Sequence, residues 1–461
     1  MTQTSFSSLA LKPDLVSNLA TLDYNEMTPI QAKSLPLILD GKDVIAQGKT
    51  GSGKTAAFGL GLLQNLDVKR FRVQSLVLCP TRELADQVAK EIRKLARGIH
   101  NIKVLTLCGG VPMGPQIGSL EHGAHIIVGT PGRILDHLDR GRLNLDNLNT
   151  LVLDEADKML EMGFQDAVDT IIDMAPKQRQ SLLFSATYPD QIKGISAKLL
   201  NDPVMVKVES THTGSSIEQQ FFNVDNNDAR KQAVELLLME HQPESCVIFC
   251  NTKVETVEVT DFLLDCGFSA IELNGDLEQR DRDQTLVRFA NKSISILVAT
   301  DVASRGLDID NLDAVINYQL AHDADTHVHR IGRTGRAGSK GVACSLFTNK
   351  DSYKVVEIED YMDIRIKESE LPDASVLEKD IFEPQMATLR IDGGKKHKVR
   401  PGDILGALTG KDGITGKDVG KINVFDFCAY VAVHKSVAKD ALHKLEKGKL
   451  KGRSFRAWRV R

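Results

Sequence analysis

The sequence predicts an α/β protein with two parallel-sheet domains in tandem and a small α+β domain at its C-terminal end. Three observations predict it. Short apolar runs alternate with amphipathic stretches from Asp43 to Phe347, as strands buried between layers of helices do. The alternation occurs twice, with a stretch of lost periodicity at Asp202–Ile217 between the two sets. Residues 385–461 then read β-α-β-β-α-β and carry a strong positive charge.

The elements follow in order. Leu9, Leu11, Leu15, Leu19 and Leu22 recur at helical spacing near the start. The apolar segment Asp43–Ala46 reads as a strand and runs into AQGKTGSGKT, after which TAAFGLGLLQNL reads as a helix. Further strands are expected at Ser75–Cys79, Lys103–Leu107, His125–Val128, Thr150–Leu153 and Ser181–Phe184. The second set is expected at Cys246–Cys250, Ala270–Leu273, Ile294–Ala299, Ala314–Tyr318 and Val342–Phe347. The acidic, weakly patterned Glu368–Pro384 reads as a second linker, so domains are expected at 1–207, 217–367 and 385–461. In the last of these, strands are expected at Thr388–Ile391, Lys421–Val424, Ala429–Val433 and Phe455–Val460. Helices are expected near Pro401–Leu408 and Val437–Leu445, which completes the order of an RNA-recognition-motif fold. The aromatic stacking signature usual on the central strands of that fold is missing, and Trp458 is expected in the core.

Composition narrows the class. The chain has 461 residues, 42% of them hydrophobic, enough for sizeable cores. No apolar run reaches the length of a membrane span, and the start lacks the basic-then-apolar pattern of a secretory signal. Seven scattered cysteines without C-x-x-C spacing suit free thiols in a reducing cytoplasm. Residues 385–461 hold 18 of the 58 basic residues and 7 of the 62 acidic ones, a balance of +11 against −15 elsewhere. An acidic body with a basic tail suggests that the tail holds a polyanion.

The chemistry-bearing residues begin with Gly48, Lys49, Thr50, Gly51, Ser52, Gly53, Lys54 and Thr55, which spell the phosphate-binding loop G-x-x-x-x-G-K-[ST] between a strand and a helix. Its glycines let backbone N–H groups turn toward phosphate oxygens, and the helix N-terminus adds a positive end. Lys54 would reach the β and γ phosphates, and the Thr55 hydroxyl would hold Mg²⁺. Asp154-Glu155-Ala156-Asp157 ends an apolar strand. There Asp154 would help to hold the metal, and Glu155 would orient or deprotonate the attacking water.

With these motifs in place, residues 6 to about 350 resemble the DEAD-box RNA helicases, which implies two RecA-like domains, ATP and Mg²⁺ as cofactors, and RNA as partner. Phe6, Tyr24, Thr28 and Gln31 match the family's adenine-reading segment, with Gln31 on the adenine edge and Tyr24 on the ring. A carboxamide offers one donor and one acceptor, complementary to adenine and not to guanine. Thr81 and Arg82 in PTRELA, Gly110 after Gly109, and Thr130 and Arg133 in TPGR resemble the first domain's RNA-backbone contacts. Ser185 and Thr187 in SAT, with Asp157 and His329, resemble the elements that couple nucleotide state to RNA. Gln279, Arg282 and Thr300 resemble the second domain's RNA contacts, and Gly306 and Asp308 its nucleotide contacts. Arg333 and Arg336 in HRIGRTGRAG resemble arginine fingers, worth about 10³–10⁵ in rate. Two positions depart from the family: Gly48 stands where Ala is usual, and Asp23 precedes Tyr24 where Gly is usual.

The segment Ile391–Gly410 and the basic end KLKGRSFRAWRVR resemble the C-terminal RRM-like domain of one bacterial branch of that family. The resemblance implies binding of a 23S ribosomal RNA hairpin during assembly of the large ribosomal subunit. Lys395, Lys396, Lys398 and Arg400 are the expected contacts. A cytoplasmic monomer that unwinds short RNA duplexes is expected. An ATP-dependent clamp with little strand separation would use the same residues. A translocase on DNA is the other alternative, against which the adenine segment and the tail weigh.

Overall fold

The structure is a computed structural model and describes residues 5–48, 51–188, 190–208, 217–304, 312–335, 341–410 and 413–460. Its first sheet is built from β1 (Val44–Gln47), β2 (Ser75–Leu78), β3 (Val104–Leu107), β4 (Ile126–Gly129), β5 (Thr150–Asp154), β6 (Gln180–Ser185) and β7 (Val204–Lys207). The order is β3-β4-β2-β5-β6-β1-β7, parallel throughout. Alternate residues feed two cores, because successive side chains in a strand point to opposite faces. Val44, Ala46, Val77, Val128, Val152 and Phe184 pack on one face. Ile45, Leu76, Leu78, Ile127, Leu151 and Leu153 pack on the other.

The stretch expected to be a linker, from Asp202, supplies β7 instead. VMVK buries only Val206 fully, so an edge strand there leaves little apolar periodicity to read.

The second sheet holds β8 (Ile217–Asn223), β9 (Cys246–Cys250), β10 (Ala270–Leu273), β11 (Ile296–Thr300), β12 (Ala314–Asn317) and β13 (Gly341–Phe347). Its order is β10-β11-β9-β12-β13-β8, again parallel. Strand β8 was not expected: IEQQFFN lies at the sheet edge, where polar residues keep solvent contact. The acidic segment after this sheet straps back onto it, with the Ser369 N–H donating to the Phe221 carbonyl at 2.7 Å.

The tail sheet consists of β14 (Met386–Ile391), β15 (Val419–Val424), β16 (Ala429–His434) and β17 (Ala457–Arg459), in the antiparallel order β15-β16-β14-β17. Helices Pro401–Thr409 and Ala438–Lys447 cover one face, on Leu389, Ile391, Val431 and Val433. The chain forms two compact units, one on the first sheet and one holding the second sheet and the tail together. Inside the second unit, the buried Thr388 hydroxyl meets Asn291 Nδ2 at 3.2 Å and the Ser293 hydroxyl at 2.7 Å. The cysteines are free thiols. Among the described residues no helix is long and apolar enough to cross a membrane.

Candidate nucleotide and RNA sites

The phosphate-loop, DEAD and SAT candidates of the first unit follow the C-terminal ends of β1, β5 and β6, neighbouring strands of one parallel sheet. Ligands of open α/β sheets bind at this edge. Gly48 follows β1 and donates its N–H to the Ser185 carbonyl at 3.0 Å, which ties the loop to the end of β6. Gly53 caps helix Lys54–Asn65 at φ 92°, a left-handed conformation that suits glycine. A Cβ there would lie 2.4 Å from Gln31 Nε2, so the Gln31 contact excludes a side chain. The buried Lys54 ammonium donates to the Gly48 carbonyl at 2.8 Å. Thr55 follows in the first turn of the helix, and Gly51 also has a positive φ of 78°. Lys49 and Thr50 lie outside the described residues.

Thr28 caps helix Pro29–Leu39, and its hydroxyl donates to the Ser52 carbonyl at 2.7 Å. Gln31 accepts from the Thr28 N–H at 2.9 Å and donates to the Gly53 carbonyl at 3.0 Å. Its carboxamide is therefore already oriented, with one acceptor and one donor in use. The Tyr24 hydroxyl donates to Glu91 Oε1 at 2.7 Å, and the Lys94 ammonium sits 5.0 Å from its ring centre. Phe6 stacks near Tyr24 at 6.3 Å. Burial and the Glu91 carboxylate together push the phenol up. Asp23 has φ 58°, so the turn before Tyr24 is left-handed. That conformation explains why glycine is usual there and makes Asp23 a strained substitute.

Asp154 ends β5 fully buried, and its Oδ1 has no hydrogen-bond partner among the described residues. Burial pushes its carboxyl up to about 7, against the pull of Lys54. An unpartnered buried carboxylate oxygen is costly in a fold unless something fills the gap. A carboxylate oxygen of this kind, with a hydroxyl such as that of Thr55, is the donor chemistry that suits Mg²⁺. Glu155 sits at φ 54° and ψ 53°, a left-handed conformation rare outside glycine and concentrated at functional sites. Asp157 Oδ2 accepts from the N–H groups of Ala186 at 3.2 Å and Thr187 at 3.0 Å and from the Thr187 hydroxyl at 3.1 Å. Burial raises the Asp157 carboxyl, but Lys158 and these bonds outweigh it and hold it below the usual range.

The candidate RNA residues of this unit lie on the loops and helix starts that follow β2, β3 and β4. Thr81 caps helix Arg82–Leu95, with its hydroxyl accepting from the Leu84 N–H at 3.2 Å. Gly110 is exposed with φ 72°. Thr130 precedes helix Pro131–Asp139, and its hydroxyl accepts from the Gly109 N–H at 3.4 Å. Arg133 donates to the Val111 carbonyl through both terminal nitrogens, at 3.2 and 3.1 Å.

In the second unit, Gln279 opens helix Gln279–Ala290 and donates to Asp283 at 2.8 Å, while Arg282 donates to the Ala303 carbonyl. Thr300 ends β11, buried. His329 Nδ1 lies 3.4 Å from Asp325, and Arg333 follows helix Ala324–Ile331, half-buried. Gly306, Asp308 and Arg336 lie outside the described residues.

Sequence reasoning passed over Arg330. It is buried, and its guanidinium donates to Asp301 twice at 2.7 Å, to Asn251 and the Gln319 carbonyl at 2.8 Å, and to Asn317 at 3.3 Å. It also lies 5.2 Å from the Phe249 ring centre. With every N–H engaged, Arg330 holds the ends of β9, β11 and β12 together. Its place in HRIGR, beside two arginines expected to act on phosphate, hid that structural role.

In the tail, Lys395, Lys396, Lys398 and Arg400 are all exposed around a short turn before helix Pro401–Thr409. Phe427, 64% exposed, and His397, 6.4 Å from it, border that turn and were not singled out. Trp458 is not in the core as expected. It pairs across strands with Arg390, and the Arg390 and Arg456 guanidiniums lie 5.0 and 5.4 Å from its ring. Alternation explains this, since Ala457 takes the inward position.

Comparison with known proteins agrees with this layout. The family profile "DEAD/DEAH box helicase" matches residues 28–195, "Helicase conserved C-terminal domain" residues 228–338, and "DbpA RNA binding domain" residues 388–459. The chain is 55% identical to the ATP-dependent RNA helicase DbpA of Escherichia coli (strain K12), over 98% of this chain and 99% of that one. It is 36% identical to the protein of the same name in Bacillus subtilis (strain 168), over 98% of each. Among solved structures, S. cerevisiae Dbp5 bound to RNA and ADP BeF3 superposes with a TM-score of 0.72 at 31% identity, over 81% of this chain and 97% of that one.

Proposed function

The chain belongs to the DEAD-box ATP-dependent RNA helicases, of the DbpA type, and from that premise we propose that it unwinds short duplexes in large-subunit ribosomal RNA precursors while its tail holds a 23S rRNA hairpin. One observation carries the catalytic part. Lys54, Asp154, Glu155 and the Ser185–Thr187 segment meet at one sheet edge, and Asp157 and Thr187 are bonded to each other there.

In this reading Gln31 reads the adenine edge and Lys54 leaves the Gly48 carbonyl for the phosphates. Asp154 and Thr55 would hold Mg²⁺, which when bound neutralises charge on the β and γ phosphates. Glu155 orients and deprotonates the attacking water. Arg333 and Arg336 complete the phosphate pocket from the second unit, so hydrolysis needs both units closed on one nucleotide. RNA spanning Thr81, Arg82, Gly110, Thr130 and Arg133 in one unit and Gln279, Arg282 and Thr300 in the other favours the same closure. RNA and ATP then assist each other by linkage. Closure bends one strand and opens a short duplex, and phosphate release reverses the closure. The tail turn at Lys395–Arg400 raises the effective concentration of duplexes near its hairpin. Such a role places the protein in the cytoplasm.

Strand displacement tests the reading. A short duplex joined to a 23S rRNA fragment should separate with ATP and more slowly when the fragment is replaced by unrelated RNA. Equal rates on both would refute targeting by the tail, and ATP turnover with no displacement on either would favour a clamp.

A further inference from the structure

The candidate RNA loops of the first unit are joined from beneath by two buried polar side chains that no motif includes. Gln116, 7% exposed, lies on helix Met113–Glu121, and His137, fully buried, lies on helix Pro131–Asp139. Gln116 Nε2 donates to the Cys108 carbonyl at 2.9 Å, the residue before Gly109-Gly110. Its Oε1 lies 3.1 Å from His137 Nε2. A carboxamide oxygen only accepts, so a proton sits on Nε2, and Nδ1, which has no partner among the described residues, favours the neutral imidazole. Burial and Arg133 hold the ring below its usual pKa, in keeping with that neutral form.

Above this pair the same two loops touch again. The Thr130 N–H donates to the Leu107 carbonyl at 3.2 Å, and the Gly109 N–H reaches the Thr130 hydroxyl at 3.4 Å. Both terminal nitrogens of Arg133 bond the Val111 carbonyl. Gly129 permits the approach, since a Cβ there would lie 2.3 Å from the Leu107 carbonyl oxygen. The Gly109–Thr130 and Arg133–Val111 bonds are only part-buried and would be exchanged for bonds to RNA. The buried pair is shielded from water and keeps its geometry whether or not RNA is bound.

We infer that Gln116 and His137 are positioning residues for RNA: their buried hydrogen-bond relay holds the Gly109-Gly110 loop against the Thr130–Arg133 helix start in the geometry that receives one phosphate backbone. The inference rests on the RNA reading of Gly110, Thr130 and Arg133 given above. Holding the loops before RNA arrives lowers the ordering cost of binding without touching the nucleotide.

The test uses the full chain and measures ATP turnover against concentration of total ribosomal RNA, with thermal midpoints recorded. Gln116→Met keeps the side-chain length and removes both bonds. His137→Gln keeps an N–H donor at similar reach, and Arg133→Ala removes a proposed contact. Gln116→Met should raise the half-stimulating RNA concentration about tenfold. Its KM for ATP without RNA, and its affinity for a 23S fragment without nucleotide, should stay at the wild-type values. His137→Gln should stay near wild type, whereas His137→Leu should behave like Gln116→Met. If Arg133→Ala weakens stimulation and Gln116→Met does not, the positioning role is overturned and the contact reading stands. If neither changes it, both fall. Loss of thermal midpoint in Gln116→Met with unchanged RNA dependence would make the pair purely structural and also overturn the inference.

Discussion

The Asp157 carboxylate accepts both the backbone N–H and the hydroxyl of Thr187, at 3.0 and 3.1 Å, and so ties the end of β5 to the loop after β6. Both are within a few residues of groups expected at the terminal phosphate. A change at the phosphate therefore has a short, bonded route into the Ser185–Thr187 segment.

Replacing Thr187 with Ala removes the hydroxyl bond and leaves the backbone one. ATP turnover with RNA should stay within about threefold of wild type, since about 1 kcal/mol of local order is lost. Strand displacement per ATP hydrolysed should fall further than turnover does. Measuring both on one duplex checks this, and an unchanged ratio would sink the coupling role.

Glu155 occupies a left-handed backbone position that costs the fold energy and leaves its side chain beside the fully buried Asp154. Glu155→Gln keeps shape and hydrogen-bonding reach but cannot take a proton. RNA-stimulated turnover should drop about 10²–10⁴-fold with ATP affinity retained. Fluorescent-nucleotide titration beside a turnover assay separates the two effects.

His327 gives the fold an acid limit. The ring is fully buried against Phe221, neither nitrogen has a partner among the described residues, and burial with Arg330 nearby pulls its pKa down to about 3. The unfolded chain takes up a proton near pH 6.5 and the folded one does not. Stability is thus unaffected above pH 6.5 and falls as pH drops toward 3, by up to about 1.4 kcal/mol per pH unit. His327→Leu should flatten that part of the profile in urea titrations run at several pH values. A mutant profile parallel to wild type would contradict the assignment.

Lys395, Lys396 and Lys398 are exposed on one short turn of the tail. Changing all three to Ala should weaken ribosomal RNA binding without nucleotide and reduce the salt dependence of its logarithm by about 0.7–0.9 per lost contact. Turnover at saturating RNA should be unaffected. A salt slope equal to wild type would place the contacts elsewhere, with Phe427 and His397 the neighbours to change next.

The central strands were legible because both faces of a parallel sheet are buried, so β2, β5, β6, β9 and β11 read as unbroken apolar runs. Two of the four edge strands of the parallel sheets were not, since β7 and β8 bury only part of their residues and leave Met205, Lys207, Glu218 and Asn223 exposed. Within the candidate site, Gly53 was singled out by the spacing of the phosphate-loop motif and Gln31 by the family resemblance. Their contact with each other depends on the fold bringing residues far apart in the chain together. Arg330 makes the same point: its partners Asn251, Asp301, Asn317 and Gln319 come from several strand ends and share no sequence pattern.

The most direct measurement is steady-state ATP turnover by the intact protein with total ribosomal RNA, with poly(A) and with no RNA. Turnover should be low without RNA and rise steeply with ribosomal RNA, at far lower concentrations than poly(A) requires. Turnover that is the same with and without RNA would contradict the claim that RNA drives the two halves of the nucleotide site together.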